Sequence, residues 1–190
     1  MAQLGAPYAV RFDVDYPDQL DRLSSAFRPI WVIPIAVVLY FVGSASAVAL
    51  LLLMVFRQKY PRWMFDWNIE VNRFSARVGA YALLLRDEYP ASDEEQAVHL
   101  AIDYPDVERD LNRWLPLVKW LLAIPHFVVL IVLAFVALVL VVVAWFAILF
   151  TGCYPRGIFD FVVGVNRWAQ RVNGYAFLLV TDRYPPFSLE

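Results

Sequence analysis

Two long stretches of the chain carry no lysine, arginine, aspartate or glutamate. Ile30–Phe56 holds 27 uncharged residues, and Trp120–Phe150 holds 31. A bilayer core about 30 Å thick needs roughly 20 apolar residues in a helix. Each stretch therefore predicts one membrane-crossing helix with length to spare.

A proline marks the surplus length at the start of each stretch, at Pro34 and at Pro125. Proline removes a helical hydrogen bond and clashes with the preceding turn. We therefore predict a kink at each proline, preceded by a short amphipathic helix at the membrane interface. These interfacial helices would cover about Asp18–Ile33 and Asp106–Ile124, and the membrane-crossing helices about Pro34–Phe56 and Pro125–Phe150.

Shorter segments near the chain start and middle alternate between apolar and polar residues. Val10–Tyr16 and Val98–Asp103 both do so, and each runs into an Asp-Tyr-Pro sequence. A period of two is typical of a half-buried strand. The two segments predict a small sheet at the membrane face.

The chain is a tandem duplication. Tyr60–Ala82 and Tyr154–Ala176 align without gaps and are identical at 12 of 23 positions. The predicted fold class is mainly α and integral membrane, with two repeats at residues 1–90 and 97–190 joined by a linker at 91–96. Each repeat would run from strand to interfacial helix, kink, membrane helix, Tyr-Pro-Arg turn and charged second helix.

The second helix of each repeat carries a charged stripe. Spacings of three and four residues place its members on one helix face. The second repeat keeps the stripe, with Gly164 where the first has Glu70. The stripe residues are Asp66, Glu70, Arg73 and Arg77 in the first repeat and Asp160, Arg167 and Arg171 in the second.

Two placements of this helix are open. It can lie at the interface with its charges among headgroups, or return through the membrane with its stripe against the other repeat. We favour the return, because an even number of crossings gives both copies the same environment. Ion pairs across the repeats would then offset the cost of buried charge. The expected pairs are Asp66 with Arg167 or Arg171, and Asp160 with Arg73 or Arg77.

The arginines of the stripe are the candidate chemistry. Guanidinium groups suit phosphate and carboxylate, so the stripe predicts either an ion-paired seam or a site for an anion or anionic lipid. Arg62 and Arg156, in the turns, are expected to reach headgroups. His126 is a candidate proton carrier, although a histidine satisfied at the membrane interface is the commoner case.

Composition agrees with the bilayer and excludes other classes. The chain is 61% hydrophobic and 18% charged, with a net charge of -2, so nothing favours nucleic acid. A single cysteine, Cys153, excludes an internal disulfide, and no motif for a metal, cofactor or enzyme is present. Lysine and arginine outside the helices are more frequent in the termini and linker than in the turns, which predicts cytoplasmic termini.

Several motifs stand out, most clearly in the second repeat. They are Asp103-Tyr104-Pro105, Ala123-Ile124-Pro125-His126, the run 145–152, Tyr154-Pro155-Arg156-Gly157, Phe159-Asp160-Phe161 and the run 182–187. Together they resemble a bacterial membrane-protein family catalogued as domain of unknown function forty-three eighty-nine. The resemblance implies the bacterial cytoplasmic membrane and an accessory or scaffold role. The expected partners are lipids, other membrane subunits or a second copy, and the alternative function is that of a small protein that binds or transports an anion or anionic lipid.

Overall fold

A computed structural model of the chain describes residues 8–91 and 96–190. These residues are mainly helical, as predicted, and form a small two-stranded sheet. Residues 92–95 of the predicted linker lie outside the described part. The elements are β1 (Val10–Val14), α1 (Arg22–Arg57), α2 (Arg62–Ala82), β2 (Val98–Ile102), α3 (Val107–Asp110), α4 (Pro116–Leu122), α5 (Ile124–Thr151) and α6 (Arg156–Ala176).

The two strands pair across the repeats. β1 and β2 are antiparallel, with Phe12 opposite Leu100 at the centre of the register. Val10 and Ile102 close one end of the pairing. Only the central pair, Phe12 and Leu100, joins equivalent residues of the two repeats, since Val10 lies opposite the equivalent of Val14. The sheet therefore has a local twofold axis through its centre.

Each second helix covers the strand of the other repeat. α6 packs against β1, and α2 packs against β2. The apolar side chains of both strands point into this layer, so Val10, Phe12, Leu100 and Ile102 are buried. The alternation of the strands thus gives one covered face and one exposed face.

α1 and α5 form a third layer, beyond α2 and α6. α2 packs against α1, and α6 packs against α5. The start of α1 lies at the end of α5, where Trp145 Nε1 donates to Ser25 O at 3.0 Å and Leu20 N donates to Gly152 O at 2.9 Å. Arg113, ahead of α4, donates from Nε to Val55 O at 2.8 Å. α1 and the α4–α5 segment therefore run in opposite directions.

Most of the outer layer is apolar and exposed. Residues 22–39 and Ile124–Thr151 are long and apolar enough to cross a membrane, and only 17% of each stretch is buried. On α5 a narrow stripe faces inward, including Ala137, Ala144 and Ile148. The opposite face of α5 has no covering residue in the described chain.

The predicted split of the apolar runs holds in only one repeat. α4 and α5 are separate helices that meet at Ala123, just before Pro125. In the first repeat, by contrast, α1 is continuous through Pro29 and Pro34, so there is no separate interfacial helix. Pro29 cannot donate to Ser25 O, and the Trp145 indole occupies that carbonyl instead. This contact with α5 compensates for one of the two prolines.

Candidate functional site

The aspartates of the charged stripe pair within their own helices. Arg62 Nε lies 3.3 Å from Asp66 Oδ1, and Arg156 Nε lies 3.3 Å from Asp160 Oδ1. All four side chains are more than half exposed. Exposed pairs four residues apart on a helix stabilise it by only about 0.3–0.5 kcal/mol.

The expected ion pairs across the repeats are not formed among the described residues. Neither Asp66 nor Asp160 contacts an arginine of the other repeat. The reason is the sheet: α2 and α6 each face the opposite strand, so their stripes do not meet. The prediction of a seam between these aspartates and arginines is wrong, whereas binding of an anion or lipid stays a prediction.

Arg73 and Arg167 do join the two repeats, but through strand carbonyls. Arg167 Nε donates to Phe12 O at 2.9 Å, and Arg73 Nε donates to Leu100 O at 3.2 Å. The acceptors are equivalent residues of β1 and β2. Each guanidinium thus ties its helix to the strand of the other repeat. Arg167 also pairs with Asp13 at 3.0 Å.

Arg77 and Arg171 hold the segment that follows the second helix of their own repeat. Arg77 Nη1 donates to Ala91 O at 2.5 Å, and Arg171 Nη1 donates to Ser188 O at 3.4 Å. Burial lowers the pKa of the Arg171 guanidinium, and neighbouring Arg167 lowers it further. A Cβ on Gly164 would stand 2.9 Å from Leu189 Cβ. The missing glutamate at this position therefore makes room for the C-terminal segment.

Two buried cations were not predicted from the sequence. Arg28 and Lys119 are both fully buried, and each pairs with a carboxylate in the segment after the second helix of its own repeat. Arg28 pairs with Asp87, and Lys119 Nζ lies 2.7 Å from Asp182 Oδ1. A signal was available: both cations precede the kink proline by six residues, and both aspartates precede a Tyr-Pro pair by two.

The surroundings of the two cations are also alike. Arg28 lies over the ring of Tyr81 at 4.7 Å, and Lys119 lies over Tyr175 at 5.1 Å. Burial lowers the pKa of Lys119, while the hydrogen bond and charge of Asp182 raise it. These clusters lock α1 and α4 to the ends of α2 and α6, so we interpret them as structural.

The Tyr-Pro-Arg turns are anchored from the other repeat. Tyr104 Oη donates to Tyr60 O at 2.7 Å, and Tyr16 donates in the same way to Tyr154 O. Arg62 lies 4.5 Å from the centre of the Tyr104 ring. Burial raises the pKa of Tyr60 to about 12, opposed by a hydrogen bond with Asn68. Arg156 matches Arg62 by lying over Tyr16 at 4.4 Å.

An open groove of about 650 Å³ lies beside the first turn. Its cations are Lys59 and Arg62, and Asp106 is its one carboxylate. The second repeat has Gly152 and Cys153 where the first has Gln58 and Lys59. The groove is therefore more basic than the equivalent surface of the second repeat. It is lined by residues 58–62 and 104–107.

His126 is buried in an aromatic cluster at the start of α5. Trp168 Nε1 donates to His126 Nδ1 at 3.1 Å, and the Phe187 ring stacks on the imidazole at 4.0 Å. His126 Nε2 has no hydrogen-bond partner in the described chain. The imidazole thus connects α5, α6 and the C-terminal segment. A role in carrying protons stays a prediction.

Within residues 8–91 and 96–190, no cluster of three or more His, Cys, Asp or Glu side chains could hold a metal ion. Comparison of the chain with curated proteins and with solved structures finds no match. The sequence model of DUF4389, a domain of unknown function, matches residues 22–92 and again residues 114–188. These two matches cover most of the chain, which therefore belongs to the DUF4389 family and contains two tandem copies of its domain.

Proposed function

We propose that this protein is a non-enzymatic integral membrane protein that serves as an accessory or scaffold subunit of a larger membrane complex. One observation supports this proposal above all: α5 exposes an apolar face along its length, and the described side chains of α1 include many exposed apolar ones, while the charged groups hold the fold together.

The exposed apolar face of α5 is unusual for a soluble monomer. Soluble monomers rarely expose apolar patches beyond a few hundred Å². On α5 alone the exposed side chains include Ile131, Phe135, Leu138 and Phe146. The helix has a mean hydropathy of 3.6, and burial of 17% is far below that of a core helix. Lipid, or a neighbouring membrane protein, is the surface that such a face fits.

The arginines support a structural role. Arg73, Arg77, Arg167 and Arg171 all donate to backbone carbonyls. A reacting substrate would have to compete with these contacts. We therefore propose no catalytic role for them. The proposed location is the bacterial cytoplasmic membrane, with the termini on the cytoplasmic side.

Gentle purification in detergent followed by native mass spectrometry tests this function. We expect a protein partner at fixed stoichiometry. Val132→Lys, on the exposed face of α5, should weaken recovery from the membrane fraction, because a charge in hydrocarbon costs about 2.5–3.5 kcal/mol. Ala101→Lys, on the exposed face of β2, is the matched control and should not. A lone, monodisperse protein without partner or lipid would contradict the proposal.

The groove beside the first turn favours a second candidate, binding of an anionic lipid or other anion. Lys59 and Arg62 offer two cations in an open site next to the end of α1. Lys59→Ala with Arg62→Ala should remove a co-purifying anionic lipid. Arg156→Ala is the control, because the second turn has Cys153 in place of the lysine. Equal lipid content in the wild-type protein, the double variant and Arg156→Ala would exclude this site.

A further inference from the structure

We infer that α1 and α5 lie in the plane of the membrane, immersed in the acyl chains of one leaflet, with the sheet facing water on the same side. This inference rests on the proposed membrane function and specifies how the chain meets lipid. In this arrangement the helices do not cross the bilayer. The chain forms a three-layer slab parallel to the membrane: α1 and α5 lie deepest, α2 and α6 lie above them, and the sheet is outermost.

The sheet cannot lie in hydrocarbon. Its uncovered face carries five ionisable side chains that are between 47% and 70% exposed. A charged side chain at the bilayer centre is strongly unfavourable. The sheet also has only two strands and is not closed, and open sheet edges do not occur in lipid. The five side chains are Arg11, Asp13, Asp15, His99 and Asp103.

The sheet lies alongside the helices and not beyond their ends. β1 follows α6 over nearly its whole length: Tyr16 packs on Phe159 at 4.9 Å near the start of α6. Phe12 O meets Arg167 in the middle. A Cβ on Gly174, near the end of α6, would clash with Val10. Because β1 runs beside α6 from near its start to near its end, the exposed face of β1 lies at the level of the middle of α6.

α6 in turn lies along α5. A short turn joins the end of α5 to the start of α6, and Trp168 bonds to His126 near the start of α5. An α5 that crossed the bilayer would therefore bring the charged sheet face to its centre. With α5 in the plane, the sheet is separated from the lipid by the α2–α6 layer.

The lengths of the helices agree with this orientation. α1 has 36 residues and α5 has 28. At 1.5 Å per residue they measure about 54 Å and 42 Å, against a hydrocarbon core of about 30 Å. The length of a helix that lies in the membrane plane does not have to match the thickness of the hydrocarbon core. The occupant that fits is the acyl region of one leaflet, because the outward faces of α1 and α5 are apolar and the opposite side of the slab is charged.

Spin labels along the exposed face of α5 test the orientation. Single cysteines replace Ile131, Leu138 and Phe146 in a Cys153→Ser background, in the full chain reconstituted into phosphatidylcholine–phosphatidylglycerol vesicles. Depth is measured from collisions with oxygen and with a water-soluble nickel chelate. We expect all three labels at the same depth. A label at Asp15→Cys, on the sheet, is the aqueous control.

Three other outcomes of the spin-label experiment would contradict the inference. A crossing helix would change depth by about 10–12 Å between successive sites, and this gradient would overturn the in-plane inference while leaving the membrane function standing. If all three labels are fully accessible to the nickel chelate, both the in-plane inference and the membrane function would be overturned. Labels reached by neither reagent would show that protein covers this face, and would overturn its assignment to lipid.

Discussion

Lys119 and Arg28 occupy equivalent buried positions, yet only the lysine can lose its proton at accessible pH. In the folded chain burial lowers the pKa of Lys119 below its ordinary value of 10.5, and Asp182 opposes this. Replacing Asp182 by asparagine leaves burial unopposed, so the pKa falls further. The twin site offers an internal control, since Asp87 pairs with a guanidinium.

We predict that Asp182→Asn costs roughly 3 kcal/mol at neutral pH, within the range for breaking a buried pair. A group whose folded pKa is lower than its unfolded pKa makes folding more favourable as pH rises between the two values. The loss should therefore shrink as pH approaches 10.5. Thermal unfolding in detergent at neutral and alkaline pH measures it.

Asp87→Asn should lose stability to the same degree at both pH values, because its partner is a guanidinium and not an ammonium. If both variants respond to pH alike, the stability change does not come from the Lys119 ammonium. The stability lost in Asp182→Asn would then have to be explained without the charge of Lys119.

At the scale of elements, contact between α6 and β1 is set by the absence of a side chain at Gly174. A Cβ there would collide with Val10 Cγ2, whereas one on Gly79 in α2 would meet nothing within 4 Å. We predict that Gly174→Ala destabilises the protein by about 1–3 kcal/mol through overpacking. Gly79→Ala, the control, should be neutral or stabilising by up to about 1 kcal/mol. Matched thermal unfolding of the two variants decides this, and equal stability would contradict the close helix–strand packing.

The sequence predicts most elements and misses how they combine. The alternation of Val10–Val14 and Val98–Ile102 marks both strands, and the spacing of the charged stripes marks α2 and α6 as helices. Spacing along one helix places charges on a face but does not say what the face meets. The expected pairs of Asp66 and Asp160 are not formed among the described residues, and nothing local indicates that each second helix turns its arginines toward the strand of the other repeat.

Long-range contacts also explain the other misses. The continuity of α1 depends in part on Trp145, which lies 120 residues beyond Ser25. Arg28 and Lys119 were missed because a single cation at the edge of an apolar run looks like an interfacial residue. Only the comparison of equivalent positions in the two repeats distinguishes them.

At the scale of the whole molecule, the repeats depend on each other. Each second helix is covered by the strand of the other repeat, and the register is symmetric about Phe12 and Leu100. A single repeat thus lacks the strand that covers its second helix, but a second copy of the same repeat could supply it.

We predict that residues 97–190 alone form a homodimer, in which β2 pairs with its copy as β1 does in the full chain. Size-exclusion chromatography with light scattering in detergent measures the mass. Asp103→Arg changes an exposed residue directly after β2, and Leu100→Asp changes a buried residue on β2. Only the second should weaken the dimer. A folded, monomeric fragment would contradict the interdependence of the repeats.

The sidedness of three positions tests the in-plane slab most directly. Cys153 is native and exposed in the second turn, and Lys59→Cys in the first turn and His99→Cys on the sheet are made in a Cys153→Ser background. A membrane-impermeant maleimide is applied to right-side-out and to inverted bacterial membrane vesicles. The slab predicts that all three cysteines are labelled in one vesicle orientation and protected in the other. Labelling of the two turns from opposite sides, or of both turns opposite to the sheet, would show that the helices cross the bilayer and would contradict the account.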